Sequence, residues 1–434
     1  MVAPRRESVS VNGSFSDWSP ITVHLDGEIS VRDRSVPYKG AMFAVYPGDI
    51  VFSKIDARSG AIGMLPTSIP KAVVTPEFPV FVADPGKLDS GFVQRVLRTG
   101  GFLKDLRSKA TGTSGRKRIS PEAFLGLRVP LPYLAEQQAI VAAYDAALVE
   151  AAEKEKAADA AEAKAMADFE AALGFAPPVP LPDRPIFVAS FKDLDRWSHD
   201  GVLRQITGSA ASTASWPRAR LGDVIADLEN GWSPKCLDRP ATDEEWGVLK
   251  LGAVSFGVYN SAENKALPSH LKPRPALEVK SGEVLISRAN ITRLVGATAL
   301  ISETRPNLLL CDKIFRMVWR KPSPITAEFV TEVLRISDVR RQIESKLTGT
   351  SPTMKNISKP ALLSLEFPLP PPDDQRSLIT ALNAGRAEAA GLRAEAAAAR
   401  ANAWRAFEAS VYASDDPIAA TDVAGSEAAF ATAR

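Results

Sequence analysis

Apolar positions along this chain repeat with two different periods, and the period changes where the composition changes. After the turn Pro47-Gly48, the run Asp49-Ile50-Val51-Phe52-Ser53-Lys54-Ile55 reads as a strand. Ala72-Val73-Val74 and Pro79-Val80-Phe81-Val82 are further strand candidates. Between 89 and 108 the spacing turns helical, with Phe92, Val96, Leu97, Leu103 and Leu106 on one side. Residues 135–173 hold no Pro or Gly and are dominated by Ala, Glu and Lys. They predict one helix about 55–60 Å long at 1.5 Å per residue, stopped by Gly174 and Pro177-Pro178. Tyr144, Ala151, Ala158, Ala165 and Ala172 recur every seventh residue along it, a seam that lets a partner helix approach closely. A second alanine-rich helix is predicted over 373–412, capped by Asp373. Leu382, Ala389, Ala396 and Ala403 share its heptad register, with Leu392, Ala399 and Ala406 beside them.

The chain also says the same thing twice. Phe92-Val93 and Val96-Leu97-Arg98 recur as Phe329-Val330 and Val333-Leu334-Arg335. Thr111-Gly112-Thr113-Ser114 recurs as Thr348-Gly349-Thr350-Ser351, and Pro130-Leu131-Pro132 as Pro368-Leu369-Pro370. Pro47-Gly48-Asp49-Ile50-Val51-Phe52-Ser53-Lys54 is answered by Ser281-Gly282-Glu283-Val284-Leu285-Ile286-Ser287-Arg288. The spacing slips by only a few residues, so one large unit has been duplicated in tandem. Each copy is far longer than a solenoid repeat.

These patterns divide the chain into a globule over 1–134, a helix over 135–173, a linker over 174–184, a globule over 185–372, a helix over 373–412 and a disordered tail over 413–434. The fold class expected is α+β: two similar mixed α/β domains separated by two long antiparallel helices, a coiled-coil-like pair with pseudo-two-fold symmetry. Two helices with apolar seams most simply cover each other. Each helix docking on its own globule is the other arrangement the pattern allows. The units differ at their starts. The second opens with Trp216-Pro217-Arg218-Ala219-Arg220-Leu221-Gly222-Asp223-Val224 and runs on to Gly231-Trp232-Ser233-Pro234, whose counterpart would precede residue 1. The first unit, with a start expected to be truncated, either lacks that opening or replaces it with Asp17-Trp18-Ser19-Pro20-Ile21.

Catalytic constellations are missing. There is no GxxxxGK[ST] loop, no [DN]PP[YF] tetrapeptide and no glycine-rich loop opening a Rossmann unit. His24, His199 and His270 have no metal-binding spacing, and Cys236 and Cys311 form no CxxC pair. Asp49, Asp56 and Glu77 could be imagined as a nuclease-like cluster, but Asp49 reads better as the acid entering a strand. No apolar run is long enough to span a bilayer, and the first residues lack a secretory core, so a reducing cytoplasmic setting is expected.

The net charge of +2 matters less than where the charge sits. Lys104, Arg107, Lys109, Arg116, Lys117 and Arg118 form a basic stretch, and Arg335, Arg340, Arg341, Lys346 and Lys355 lie in the matching part of the second unit. Recurrent basic patches suit a polyanion, while any one of them alone reads as a solvated face. Two regions per unit combine glycine, hydroxyl and basic residues. The first is Lys54, Arg58 and Ser59, answered by Arg288, Asn290, Thr292 and Arg293. Each follows a strand, where Arg and Lys can reach guanine and Asn can pair with adenine. The second is Lys109, Thr111, Thr113, Ser114, Arg116, Lys117 and Arg118, answered by Lys346, Thr348, Thr350, Ser351, Thr353, Lys355 and Asn356, groups suited to phosphates. A tight turn built on structural Gly112 and Gly349 remains open for this region beside DNA contact.

Taken in order, the duplicated motifs resemble the specificity subunits of type I restriction–modification enzymes over nearly the whole chain. The matching residues are Gly112-Thr113-Ser114 to Ile119, Val129-Pro130-Leu131-Pro132, Glu136-Gln137 and Ile140, and again Gly349-Thr350-Ser351 to Ile357, Phe367-Pro368-Leu369-Pro370, Asp374-Gln375 and Ile379. Leu221-Gly222-Asp223-Val224 with Gly231, and Gly282-Glu283-Val284-Leu285-Ile286, resemble the family's opening. The resemblance implies two target recognition domains, each reading one half of a split double-stranded DNA sequence. It implies that the helices space these domains and dock two adenine-methyltransferase subunits, with restriction subunits adding translocation and cleavage. S-adenosylmethionine, ATP and Mg are then expected on those partners and no cofactor on this chain, which performs no chemistry itself. The short start of the first unit departs from the family pattern. The competing readings are a non-DNA adaptor with two peptide-binding domains on a coiled scaffold, and a nuclease or single-chain methyltransferase.

Overall fold

The computed structural model describes residues 2–10, 17–33, 40–112, 117–175, 188, 216–351 and 354–413. The linker and tail expected over 174–184 and 413–434 fall almost wholly outside them. The chain divides into two compact units, Met1–Lys156 with Arg393–Arg434, and Ala157–Leu392. Both are α+β.

In the first unit a four-stranded antiparallel sheet runs in the order Val2–Arg5, Val80–Ala83, Ile50–Phe52, Ile62–Met64. In the second the order is Ile225–Asn230, Ile314–Trp319, Val284–Ser287, Thr298–Leu300, again antiparallel throughout. The hairpins match bond for bond. Gly48 N–H donates to Leu65 O and Leu65 N–H to Asp49 O, as Gly282 does to Ile301 and Ile301 to Glu283. Gly48 and Gly282 have φ of 86° and 85°, the left-handed region that favours glycine. A second sheet in each unit contains one parallel pair, Ser19–Val23 beside Ala72–Val74 and Gly247–Leu249 beside Leu308–Leu309.

This register overturns one of the two alternatives for the start of the first unit, the replacement by Asp17–Ile21. Val2–Arg5 takes the sheet position of Ile225–Asn230. Ser19 N–H donates to Lys71 O as Gly247 N–H does to Asn307 O. Asp17-Trp18-Ser19-Pro20 therefore answers Glu245-Trp246-Gly247-Val248, and does not replace the opening. Two other expectations change. The strand predicted to reach Ile55 stops at Phe52, because the Ser53 hydroxyl accepts the Asp56 N–H and turns the chain into a 3₁₀ turn, Ala57–Ser59. The helix predicted over 89–108 is two, Ser90–Val96 and Gly100–Ser108, since Thr99 caps a new start by accepting from Phe102 N–H. The second unit breaks likewise between Ala327–Val333 and Ser337–Ser345.

Two long helices follow the globular parts, Leu134–Ala172 and Pro372–Tyr412. The second starts at Pro372, so Asp373 lies inside its first turn and is not its cap; there it pairs with Arg376 and favours the helix dipole. Near each helix start sits a fully buried glutamine. Gln137 accepts from Asp89 N–H and donates to Lys87 O and Pro132 O, all at 2.9 Å. Gln375 accepts from Thr326 N–H and donates to Pro324 O and Pro370 O at 2.8–2.9 Å. Each amide ties its helix to the proline segment before it and to the first short helix of its globule.

Within the first unit the two helices run antiparallel: Tyr144 meets Trp404 and Phe407, while Lys154, further along, reaches back to Glu395 at 2.9 Å. Ala151, Ala158, Ala165, Ala389, Ala396 and Ala403 are all buried, as the seam requires. Ala172 and Ala406 are exposed, contrary to expectation. A straight helix drifts about 20° per heptad, and at its far end the buried face has moved to Phe169 and Leu173, or Phe407 and Val411. There each helix meets a globule. Phe407 packs on Phe92 with ring centroids 6.0 Å apart, and Phe169 on Phe329 at 6.1 Å. The Glu408 carboxylate accepts Gly100 N–H and the Glu170 carboxylate accepts Ser337 N–H, both at 2.7 Å, at the starts of matching helices.

In the second unit the helices come so close that a Cβ on Gly385 would lie 2.6 Å from the Ala165 Cβ. Gly385→Val is expected to destabilise the protein by about 1–3 kcal/mol, read as a lower denaturation midpoint, whereas Gly391→Ala, with open space around it, is expected to leave the midpoint unchanged or raise it. Gln375→Leu is expected to cost about 1–3 kcal/mol for each buried group it leaves unpaired, measured the same way.

Candidate nucleic-acid interface

The two regions singled out in each unit share a matching backbone hydrogen bond. Ile119 N–H donates to Lys54 O at 2.8 Å, and Ile357 N–H donates to Arg288 O at 3.0 Å. Both isoleucines are buried, so each loop pair is anchored on the core.

In the first unit, Thr111 and Arg118 exchange backbone bonds of 3.0 and 2.8 Å and close the Gly112 loop. Lys109, Thr111, Lys117 and Arg118 are exposed, as is Ser59, while Lys54 and Arg58 are half-buried. Arg118 lies 3.3 Å from Glu77 as an ion pair without hydrogen-bond geometry. Thr113, Ser114 and Arg116 lie outside the described residues. Gly60, with φ of 113°, ends the 3₁₀ turn where a Cβ would come within 2.0 Å of Leu25 O.

In the second unit, Ala289–Asn290 pairs with Lys355–Asn356 as a short antiparallel ribbon, and Thr348 exchanges backbone bonds with Asn356. Thr292, Arg293, Thr348, Thr350 and Ser351 are exposed; Arg288, Asn290, Lys346, Lys355 and Asn356 are half-buried; Thr353 lies outside the described residues. Several of these side chains are already engaged. Asn290 Oδ1 accepts Ile291 N–H at 2.8 Å, so bidentate pairing with a base requires that bond to break. Lys355 Nζ donates to Gly349 O at 2.6 Å and closes its own loop. Arg288 donates to Asp312 O at 3.2 Å and lies over Phe315, with a buried Nε that has no partner among the described residues.

Part of the basic stretches is therefore engaged within the chain. Arg340 donates to carbonyls of the 292–295 segment, Arg335 pairs with Glu332, and Arg107 donates to Arg58 O. Residue type showed the charge but not that it is spent on backbone oxygens. The imagined acidic cluster is likewise occupied: Asp49 is buried against Arg5 at 2.7 Å and accepts Tyr46 N–H. No group of metal-binding side chains occurs among the described residues. Burial pushes the Cys311 thiol up to about 11, which keeps it protonated and unreactive near neutral pH. No helix among the described residues is long and apolar enough to cross a membrane.

Sequence reading missed the match at the far ends of the long helices, Phe169-Glu170 with Leu173 against Phe407-Glu408 with Val411. Their repeated order carried the signal, hidden among alanines.

No family model matches the chain. The specificity subunit of the type I restriction enzyme EcoEI from Escherichia coli is 35% identical over 168 residues, which are 38% of this chain and 28% of that relative's length. A solved structure described as the structural basis of complex assembly and conformational transition of the type I R-M system superposes with a TM-score of 0.53 at 16% identity, covering 91% of each chain. The HsdS subunit of Thermoanaerobacter tengcongensis gives a TM-score of 0.45 at 16% identity over 88% of this chain and 85% of that one. Over the matched 168 residues the chain is similar in sequence to the specificity subunit of a type I restriction enzyme, and over 91% of its length it is similar in fold to a solved chain of a type I R-M system.

Proposed function

We propose that this chain is the DNA-recognition subunit of a type I restriction–modification complex, each globule reading one half of a split duplex target. The observation that carries the reading is the duplicated loop pair, Lys54 with Ile119 and Arg288 with Ile357, which presents hydroxyls, amides and cations from a rigid sheet twice in one chain. One small domain reads only a few base pairs, and each mismatch costs about 1–3 kcal/mol, roughly additively, so two readers multiply discrimination. The exposed Lys109, Lys117, Arg118 and Arg293 are assigned mainly to phosphates.

The long helices act as a coiled-coil-like spacer with pseudo-two-fold symmetry. Supporting this are the antiparallel run, the paired glutamines and the exchange of Glu170 and Glu408 between matching helix starts. Between the helices of the second unit, Ala161, Phe169, Leu378 and Leu382, with Lys164, Asp168 and Glu388, line a cleft of about 630 Å³, a surface that a docked methyltransferase subunit would cover. On this reading the methyltransferases supply S-adenosylmethionine chemistry on adenine, restriction subunits supply ATP- and Mg-dependent steps, and this chain supplies none.

Binding of the purified chain to a duplex library is expected to weaken steeply with KCl, by at least tenfold between 50 and 200 mM, because phosphate neutralisation releases counterions. Flat salt dependence would favour the peptide-adaptor reading. Adding one heptad to each long helix lengthens the spacer by about 10 Å, or about three base pairs. Methylation-aware sequencing is then expected to show the same half-sites with a longer gap; an unchanged gap would sink the spacer role.

A further inference from the structure

In each unit the loop that follows the central strand is pinned by an arginine from the helical part. In the second unit Arg340 donates to Val295 O at 2.7 Å and to Arg293 O at 3.1 Å, with Thr292 O at 3.5 Å. Its guanidinium lies 5.0 Å from the Phe256 ring centroid, and Arg335 lies 5.7 Å from the same ring. In the first unit Arg98 donates to Gly60 O at 2.8 Å and Ile62 O at 2.5 Å, and Arg107 donates to Arg58 O at 2.9 Å.

The two clamps do not come from matching positions. The repeat aligns Arg98 with Arg335, whose guanidinium is turned to Glu332, and Arg340 with Leu103. Matching loops are thus gripped at different carbonyls and from different places on the helices. Arginine is the side chain suited to such a grip, because its planar fork reaches several carbonyls at once and keeps its charge even though burial lowers the pKa of both groups.

We infer that Arg340 and Arg98 are specificity-positioning residues, each holding one reading loop in the geometry at which its side chains meet bases. This rests on the DNA-reading role proposed above. A contact that discriminates bases must be held to within about 0.5 Å, and exposed segments such as Thr292-Arg293 cannot supply that stiffness themselves. On this reading the clamps act through the loop backbone, so they govern which sequence is preferred and not how many phosphates are neutralised.

The test uses the full chain. Selection from random duplexes first defines the two half-sites of the wild type. Affinities are then measured for duplexes mismatched in one half-site at a time. Arg340→Gln is expected to reduce mismatch discrimination about tenfold at one half-site only, and Arg98→Gln at the other only, with the salt slope of binding unchanged in both. Hydrogen exchange is expected to rise at Leu294–Gly296 in Arg340→Gln and to stay slow at Leu285. If Leu285 also loses protection, Arg340→Lys, which keeps one donor to these carbonyls, replaces it and is expected to show an intermediate loss. Equal weakening on all duplexes, unchanged discrimination, or a smaller salt slope would overturn the inference. A wild type that selects no sequence would overturn the DNA-reading role itself.

Discussion

Each long helix is fixed to the globule it grows from by a buried primary amide. A glutamine side chain taken out of water must satisfy both its donors and its acceptor, and Gln137 and Gln375 do so on three backbone groups from two separate segments of chain. The amide leaves its helix no freedom to swing relative to the globule it grows from. Neither rotation nor tilt of the helix can occur without stranding a polar group in an apolar surround. On the proposed spacer role such stiffness at the helix ends is what fixes the distance between the readers.

Small side chains do the corresponding work along the helices. Alanine at the seam gives up burial of large apolar groups in exchange for close approach, taken to its limit where Gly385 faces Ala165. Charged pairs such as Lys154 with Glu395 and Arg400 with Glu155 flank the seam. They are exposed and add little stability, but they disfavour a slipped register. At the far ends the large residues return, and Phe169 and Phe407 join the helices to globular cores.

Much of this was legible in the chain itself. The duplicated hairpins and the alanine heptads announced themselves because local pattern determines them: a glycine in a left-handed turn, a small residue every seventh position. What stayed hidden depended on distant partners. Val2–Arg5 has no resemblance to Ile225–Asn230, yet fills the same sheet position because Val80–Ala83 offers it the same free edge. Ala172 and Ala406 kept the heptad in sequence and lost it in space once a globule, and not a helix, became the neighbour. In the candidate interface residue type singled out loops that the fold brings together, but it could not tell an arginine facing solvent, such as Arg293, from one spent on carbonyls, such as Arg340.

The division of the chain into units has a consequence for its synthesis. Ala157–Leu392 is one continuous stretch, but the other unit is built from both extremities. Phe92 and Val96, made early, are covered by Phe407 and Val411, made last. On the ribosome the amino-terminal globule therefore waits, with an apolar face uncovered, while the middle of the protein completes its own core. A nascent chain stopped short of residue 393 would lack the segment that completes the first unit.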